Sequence, residues 1–283
     1  MKVIWVLENI DRSKEFYSKF NILCLGTSAK LYKKHNPEDF TVLFCDRLTY
    51  EFLESLGIIP IWDNVEVFDF NLDVNKKVFW ASSKLHILSQ INEPVCIIDN
   101  DSLVHTNLWK HLDKDTVYVS NFENGKGYYP LSYDDYVRKL TYKARWTPES
   151  VNVSFLYLPD PIFTKKYADL SIQLMKEFTK MNVPNSQYLI FAEQLLLKHL
   201  LDKDNIKHKS LISTYWDCQK WNWGEDHDKG IWSNPESNRY YYHYGPLKSF
   251  IKAGNAPMTY EDEIKKFVNC IGLDLNLDIF SRK

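Results

Sequence analysis

The sequence predicts an α/β fold: a mostly parallel central sheet flanked by helices, folded as a single compact domain over residues 1–283. Strand-like and helix-like segments alternate through the first half of the chain, the rhythm of β-α-β units. The strands of that half are short continuous apolar runs, as expected where a parallel sheet is covered on both faces. The composition (45% hydrophobic and 25% charged over 283 residues) supplies enough apolar side chains for a large core and excludes a disordered chain.

Val3–Leu7 reads as the first buried strand, and Thr41–Cys45 as the second. Residues 49–56 carry apolar side chains at helical spacing and stop at Gly57, a C-cap signal. Val65–Phe68 is a third short strand. Over Phe79–Ile91, the residues Trp80, Ile87, Leu88 and Ile91 fall on one helical face. Pro94 then precedes Val95–Ile98, four apolar residues in succession. Further on, Val117–Ser120 and Val153–Leu158 read as strands. Tyr167, Leu170, Leu174, Met175 and Phe178 mark an amphipathic helix, and Tyr188–Leu201 a more apolar one. From Trp216 to Tyr244 the chain is rich in Trp, Tyr, Asn, Gly and Asp without a clear period, apart from the aromatic run at Tyr240–Tyr244.

Charge and cysteine content narrow the function. A net charge of −2 excludes a protein whose main task is to coat nucleic acid, so no stable nucleic-acid complex is expected. Five scattered cysteines form no zinc-type spacing, and three of them sit in strand-like apolar runs, which suits a reducing, cytoplasmic setting. No apolar run approaches the ~20 residues of a membrane span, and the apolar part of the opening segment is too short for a signal peptide. With 9 glycines there is neither GxGxxG nor GxxxxGK[ST] to cradle a phosphate.

The chemistry is expected just after Ile98, because open α/β sheets bind ligands at the carboxyl ends of their strands. Asp99-Asn100-Asp101 stands there. In an extended chain residues i and i+2 point the same way, so both carboxylates can face one ligand. Paired hard oxygen donors suit Mg²⁺ or Mn²⁺, which would neutralise a diphosphate leaving group. A solvated acidic loop accounts for the same residues without a ligand. Far downstream, His243-Tyr244-Gly245-Pro246-Leu247-Lys248 forms an HxGxxK segment. It offers an imidazole ligand, a glycine where backbone can approach phosphate, and a lysine to balance its charge.

Together the two segments resemble the GT-A class of nucleotide-sugar glycosyltransferases, and within it the retaining glycosyltransferase family 8 and related capsular-polysaccharide-type enzymes. The late motif is one residue shorter between His and Gly than the family's HxxGxxK, and Ser249-Phe250 stand where Pro-Trp often follows. The resemblance implies a GT-A fold, with Asp99, Asp101 and His243 as metal ligands and Asn100, Gly245 and Lys248 beside the diphosphate. It implies that Lys84, on the helix before the acid pair, lies near the diphosphate. Asn152 would lie near the donor sugar, with Ser154 where the family usually has Gly. Glu193 and Gln194 resemble the family's acidic-Gln pair at the reaction centre.

The activity implied is metal-dependent hexosyl transfer, retaining, from a nucleoside diphosphate-sugar such as a UDP-hexose to a glycan or other hydroxyl acceptor, a modified DNA base included. Glu193, Gln194 and Lys248 would be catalytic. Residues 1–110 would hold the nucleotide-sugar and residues 111–283 the acceptor. Two other readings stay open. One is a HAD-like phosphohydrolase with Asp99 as nucleophile. The other is a non-catalytic homologue that binds carbohydrate or nucleic acid through its aromatics. Trp216, Trp221, Trp223 and Trp232 could form an acceptor wall or fill an irregular core.

Overall fold

A computed structural model describes residues 1–11, 17–212, 215–217, 241–243 and 259–280. They fall into two compact units. One comprises Met1–Asp69, Ile97–His111 and Asn238–Lys283; the other comprises Phe70–Cys96 and Leu112–Ser237.

The first unit is built on parallel strands β1 (Lys2–Leu7), β2 (Phe40–Cys45) and β3 (Asn64–Val67), in the order β3-β2-β1. β1 pairs with β2 in parallel from Lys2↔Phe40 to Leu7↔Cys45, and β2 with β3 from Val42↔Asn64 to Cys45↔Val67. The two longer strands match the expected apolar runs, with Val3, Ile4, Trp5 and Thr41–Cys45 buried. Between them runs helix α1 (Lys19–His35), opened by the Ser18 side chain accepting from Asn21 N. Sequence periodicity did not mark this helix, and residues 22–29 are buried all round rather than along a stripe. Its Ser28 is buried because its hydroxyl is used twice, accepting from Trp5 Nε1 at 2.9 Å and donating to Ser102 O at 2.5 Å. Cys24 lies buried in this helix. Cys45 is in β2, where burial pushes its thiol up to about 12.

Helix α2 (Arg47–Leu56) ends at Gly57 with φ +83°, the left-handed cap its sequence signals. At the other end of the chain, helix α8 (Tyr260–Ile271) begins at Thr259, whose side chain accepts from Asp262 N, and ends at Gly272 with φ +63°. It packs on α1 through Phe20 and Phe267, rings 5.3 Å apart. α1 approaches its neighbours so closely at Gly26 that a Cβ there would stand 2.4 Å from Ile58 Cδ1.

The second unit is centred on β6 (Val117–Asn124) and β7 (Glu149–Leu158), an antiparallel pair. β8 (His208–Ser210) and β9 (Tyr215–Asp217) pair in parallel with successive stretches of β6. The sheet is therefore mixed, and both long strands outrun their apolar cores of Val117–Ser120 and Val153–Leu158. The register shifts between Val119↔Leu156 and Asn121↔Asn152, so β7 carries extra residues there. Helices α5 (Pro161–Lys180), α6 (Gln187–Ile190) and α7 (Leu196–Lys203) belong to this unit, as does the short α4 (Asp135–Lys139). A π-helical turn over Phe191–Leu195 joins α6 to α7. The helix expected over Phe79–Ile91 is shorter, α3 (Ser82–Leu88). Asn75 N is tied to Thr179 Oγ1, and residues 75–79 turn on the Asn75 carbonyl. Trp80 consequently precedes the helix and is 53% exposed, whereas Ile87, Leu88 and Ile91 are buried as expected. Strand β4 (Val95–Ile98) is buried throughout, and the chain passes from the second unit to the first between Cys96 and Ile97.

Candidate functional site

In the first unit, the chain turns immediately after Ile98. Asp99 O accepts from Ser102 N at 3.0 Å, and the Asn100 side chain donates to Val6 O of β1 at 3.1 Å. Asp99–Asp101 is thus a pinned turn and not the extended segment expected, so its two carboxylates converge through the turn and not through strand alternation. The chain then forms β5 (Ser102–Val104), whose partner is β10 (Tyr241–His243), antiparallel, with His243 opposite Ser102. Pairing next to the turn brings the late imidazole to the early acids across more than half the sequence. Asp101 is buried, and His243 Nε2 lies 3.3 Å from Asp101 Oδ1.

One ligand atom from each of Asp99, Asp101 and His243 lies within 4.8 Å of the others. Two carboxylate oxygens and an imidazole nitrogen form a donor set suited to Mn²⁺ or Mg²⁺. The 3.3 Å spacing is close to that of neighbouring ligands around an ion bound at roughly 2.1 Å. Ser28, Asn100 and the β5–β10 ladder hold the backbone of these ligands in place, so little reorganisation stands between the fold and a bound cation.

The second unit gathers the remaining described candidates. Lys84 Nζ pairs with Glu193 Oε1 at 2.7 Å, the two side chains only 9% and 3% exposed. Lys84 is thus a buried partner of Glu193. Glu193 lies in the π-helical turn, whose geometry interrupts the regular α-helical ladder; its carbonyl accepts from Tyr167 OH at 3.1 Å. That local break explains how two polar residues sit inside an apolar helix pattern.

Gln194 is half-buried, and one end of its carboxamide stands 3.3 Å from Glu123 Oε2 and 3.2 Å from Val151 O; both partners accept only, which assigns the amide nitrogen to that end. Asn152 lies at the register shift of β7, and its Oδ1 accepts from Ser154 N at 3.0 Å, an Asx-type turn that shapes the irregularity. Ser154 Oγ and Ser120 Oγ also stand 2.6 and 2.8 Å from Asn152 Oδ1. Asn152 Nδ2 donates to Glu123 Oε1 at 2.9 Å, and Tyr129 OH donates to Glu123 Oε2 at 2.7 Å. Burial first, and the neighbouring Glu123 charge second, hold the Tyr129 hydroxyl well above its ordinary range, so it stays a donor.

Glu123 was not singled out by sequence reasoning. The available signal was positional: it lies two residues past Asn121 and four past Val119, so it continues one side of a strand whose apolar core stops earlier. Gly245 and Lys248 lie outside the described residues, as do Trp221, Trp223 and Trp232.

Residues 8–252 match a family described as "Family of unknown function (DUF6734)". No curated protein matches the chain. Among solved structures it is similar to galactosyltransferase LgtC in complex with donor and acceptor sugar analogs, at 12% identity over 96% of this chain and 95% of that one, with a TM-score of 0.44. It is also similar to the apo-form glycosyltransferase GlyE of Streptococcus pneumoniae TIGR4, at 14% identity and a TM-score of 0.37, over 74% of this chain; the match spans 44% of the GlyE chain.

Proposed function

We propose that this chain, which belongs to the DUF6734 family of unknown function, is a metal-dependent glycosyltransferase of the GT-A type. The observation that carries the proposal is the meeting of Asp99, Asp101 and His243, two acids directly after a buried strand and an imidazole from late in the chain. An acidic loop that served only solubility would have no reason to recruit a histidine from a separate strand and to bury Asp101 beside it.

Asp99, Asp101 and His243 would hold Mn²⁺ or Mg²⁺. Such an ion supplies charge neutralisation to a nucleoside diphosphate as it departs. The donor is a nucleoside diphosphate-sugar, with UDP-hexose the leading candidate, and the acceptor is a glycan or other hydroxyl. In the transfer, the bond from the anomeric carbon to the diphosphate oxygen breaks with its electron pair leaving on the diphosphate. The acceptor oxygen bonds to the same carbon on the same face, and its proton passes to a departing phosphate oxygen. A retaining course of this kind requires no carboxylate base. Gln194 supports it as a neutral group able to steady the positive charge that grows at the anomeric carbon. Lys84 and Glu193, paired at 2.7 Å, act there as a fixed pair. Residues 1–110 serve the nucleotide-sugar and residues 111–283 the acceptor within one domain, and Gly245 and Lys248 assist at the diphosphate. Among the described residues no helix is long and apolar enough to cross a membrane. A cytoplasmic location is part of the proposal.

A panel of nucleotide sugars incubated with protein and Mn²⁺ tests the assignment through slow hydrolysis of the cognate donor. One donor should be cleaved in a metal-dependent way, and His243→Ala should abolish the cleavage. Cleavage that persists in His243→Ala, or the absence of any cleaved donor, would remove the assignment.

A further inference from the structure

We propose that Glu123 is a positioning residue that fixes which end of the Gln194 amide faces the reacting sugar. Its catalytic consequence rests on the transferase reading above; its geometry does not. The carboxylate is buried and accepts from Tyr129 OH at 2.7 Å, Asn152 Nδ2 at 2.9 Å and Asn121 Nδ2 at 3.5 Å, and one end of the Gln194 carboxamide stands 3.3 Å from its Oε2.

An amide has a donor end and an acceptor end, and without a constraint either can face a ligand. A carboxylate accepts only, so it admits one orientation: the NH₂ of Gln194 turns toward Glu123. The carbonyl of Val151, at 3.2 Å, is a second acceptor and enforces the same choice. The Gln194 carbonyl oxygen is therefore turned away from Glu123. Gln194 is the half-buried residue between buried Glu193 and Leu195, so the side chain retains access to solvent.

The polarity of that choice matters for glycosyl transfer. A carbonyl oxygen lowers the energy of a carbon gaining positive charge, whereas an NH₂ in the same place raises it. Glu123 also holds Asn152 by its nitrogen, and Asn152 Oδ1 is taken by Ser120 and Ser154. The two amides thus share one anchor, and a fault in it would disturb both.

Replacing Glu123 by Gln tests this with little change of shape. The new amide brings its own NH₂ into the cluster, and where that group meets Gln194 the latter must reverse or lose its bond. The first readout is the side-chain carboxamide of Gln194 in protein labelled with ¹⁵N-glutamine, identified through its loss in Gln194→Ala. In the wild type its protons should exchange slowly, and in E123Q they should shift and exchange freely.

The second readout is donor hydrolysis. E123Q should lower kcat by about 10–100-fold, the range for partners that orient a working group, with donor KM changed less than about twofold. In the Gln194→Ala background the same change should cost far less than in the wild type, only the part that reaches Asn152, because a residue acting through another is silent through it once that other is gone. If E123Q fails to fold, Gln194→Glu serves instead. It would set two carboxylates against each other, and its melting temperature should rise as the pH falls toward about 5, where they can share a proton.

Gln194 carboxamide signals alike in wild type and E123Q, additive losses in the double variant, or a Gln194→Glu melting profile that follows the wild type's with pH would each overturn the proposal. If wild type shows slow exchange but cleaves no donor, the geometric anchor stands while the transferase reading and the catalytic role of Glu123 both fall.

Discussion

Breaking the Lys84–Glu193 pair should be among the most costly single changes in this protein. The two charged groups are 2.7 Å apart, with side chains 9% and 3% exposed, so each has given up most of its hydration. Replacing Glu193 by Leu removes the carboxylate 2.7 Å from the buried Lys84 ammonium, and breaking one side of such a buried pair costs about 3–5 kcal/mol in comparable sites. At 2–4 °C per kcal/mol for a protein of this size class, that corresponds to a fall in melting temperature of roughly 6–20 °C. Replacing both partners, as Lys84→Met with Glu193→Leu, removes two desolvated charges together and should recover most of the loss, because the Coulombic gain of a buried pair about offsets its desolvation.

Thermal melts followed by circular dichroism on the wild type, the two single variants and the double variant complete the cycle. A Glu193→Leu protein melting within about 1 °C of the wild type would refute the reasoning, since 3 kcal/mol cannot be hidden in such a shift. The same cycle also separates fold from function. If the pair lies in the donor site, the double variant should be stable and yet fail to turn over donor.

Other consequences concern individual residues. Gly57, with φ +83°, should tolerate Ala poorly: a Cβ in the left-handed region costs about 1–2 kcal/mol, to be read as a lowered urea midpoint with unchanged slope. His199 is held below its usual value of 6.5, chiefly by burial and then by Lys203, so the folded state binds fewer protons there than the unfolded chain. Its contribution is full above pH 6.5 and is lost as the pH falls through its lower folded value; the melting temperature of His199→Gln should therefore lose less on acidification than that of the wild type. Ser154→Gly removes a hydroxyl 2.6 Å from Asn152 Oδ1 and 3.0 Å from Ser120 Oγ. It should lower stability by about 1 kcal/mol, measured in the same melts.

The sequence exposes some of this architecture and conceals the rest for physical reasons. The buried strands β1, β2 and β4 were legible because a run of apolar residues has few other uses. Helix α1 was not, because nearly every side of it is covered and no polar face sets a period. Trp80 misled the helix assignment: its spacing fits the buried face, yet the Asn75 turn places it outside the helix. Asp99, Asp101 and His243 were legible as residue types, and their meeting depends on the β5–β10 pairing that no local pattern announces. Lys84 and Glu193 were found by resemblance, without any sign that they pair. Glu123 showed only its place on the strand, and its role as an anchor was hidden because its partners Tyr129, Asn152 and Gln194 come from three separate segments.

Calorimetric titration of Mn²⁺ into the protein in the presence of a nucleoside diphosphate tests the central claim most directly. The wild type should take up one ion per chain, and both Asp101→Asn and His243→Ala should lose that heat while melting as folded proteins. An uptake that both variants retain, or a wild type that gives no metal-dependent heat, would contradict the joint grip of the acid pair and the imidazole on a cation.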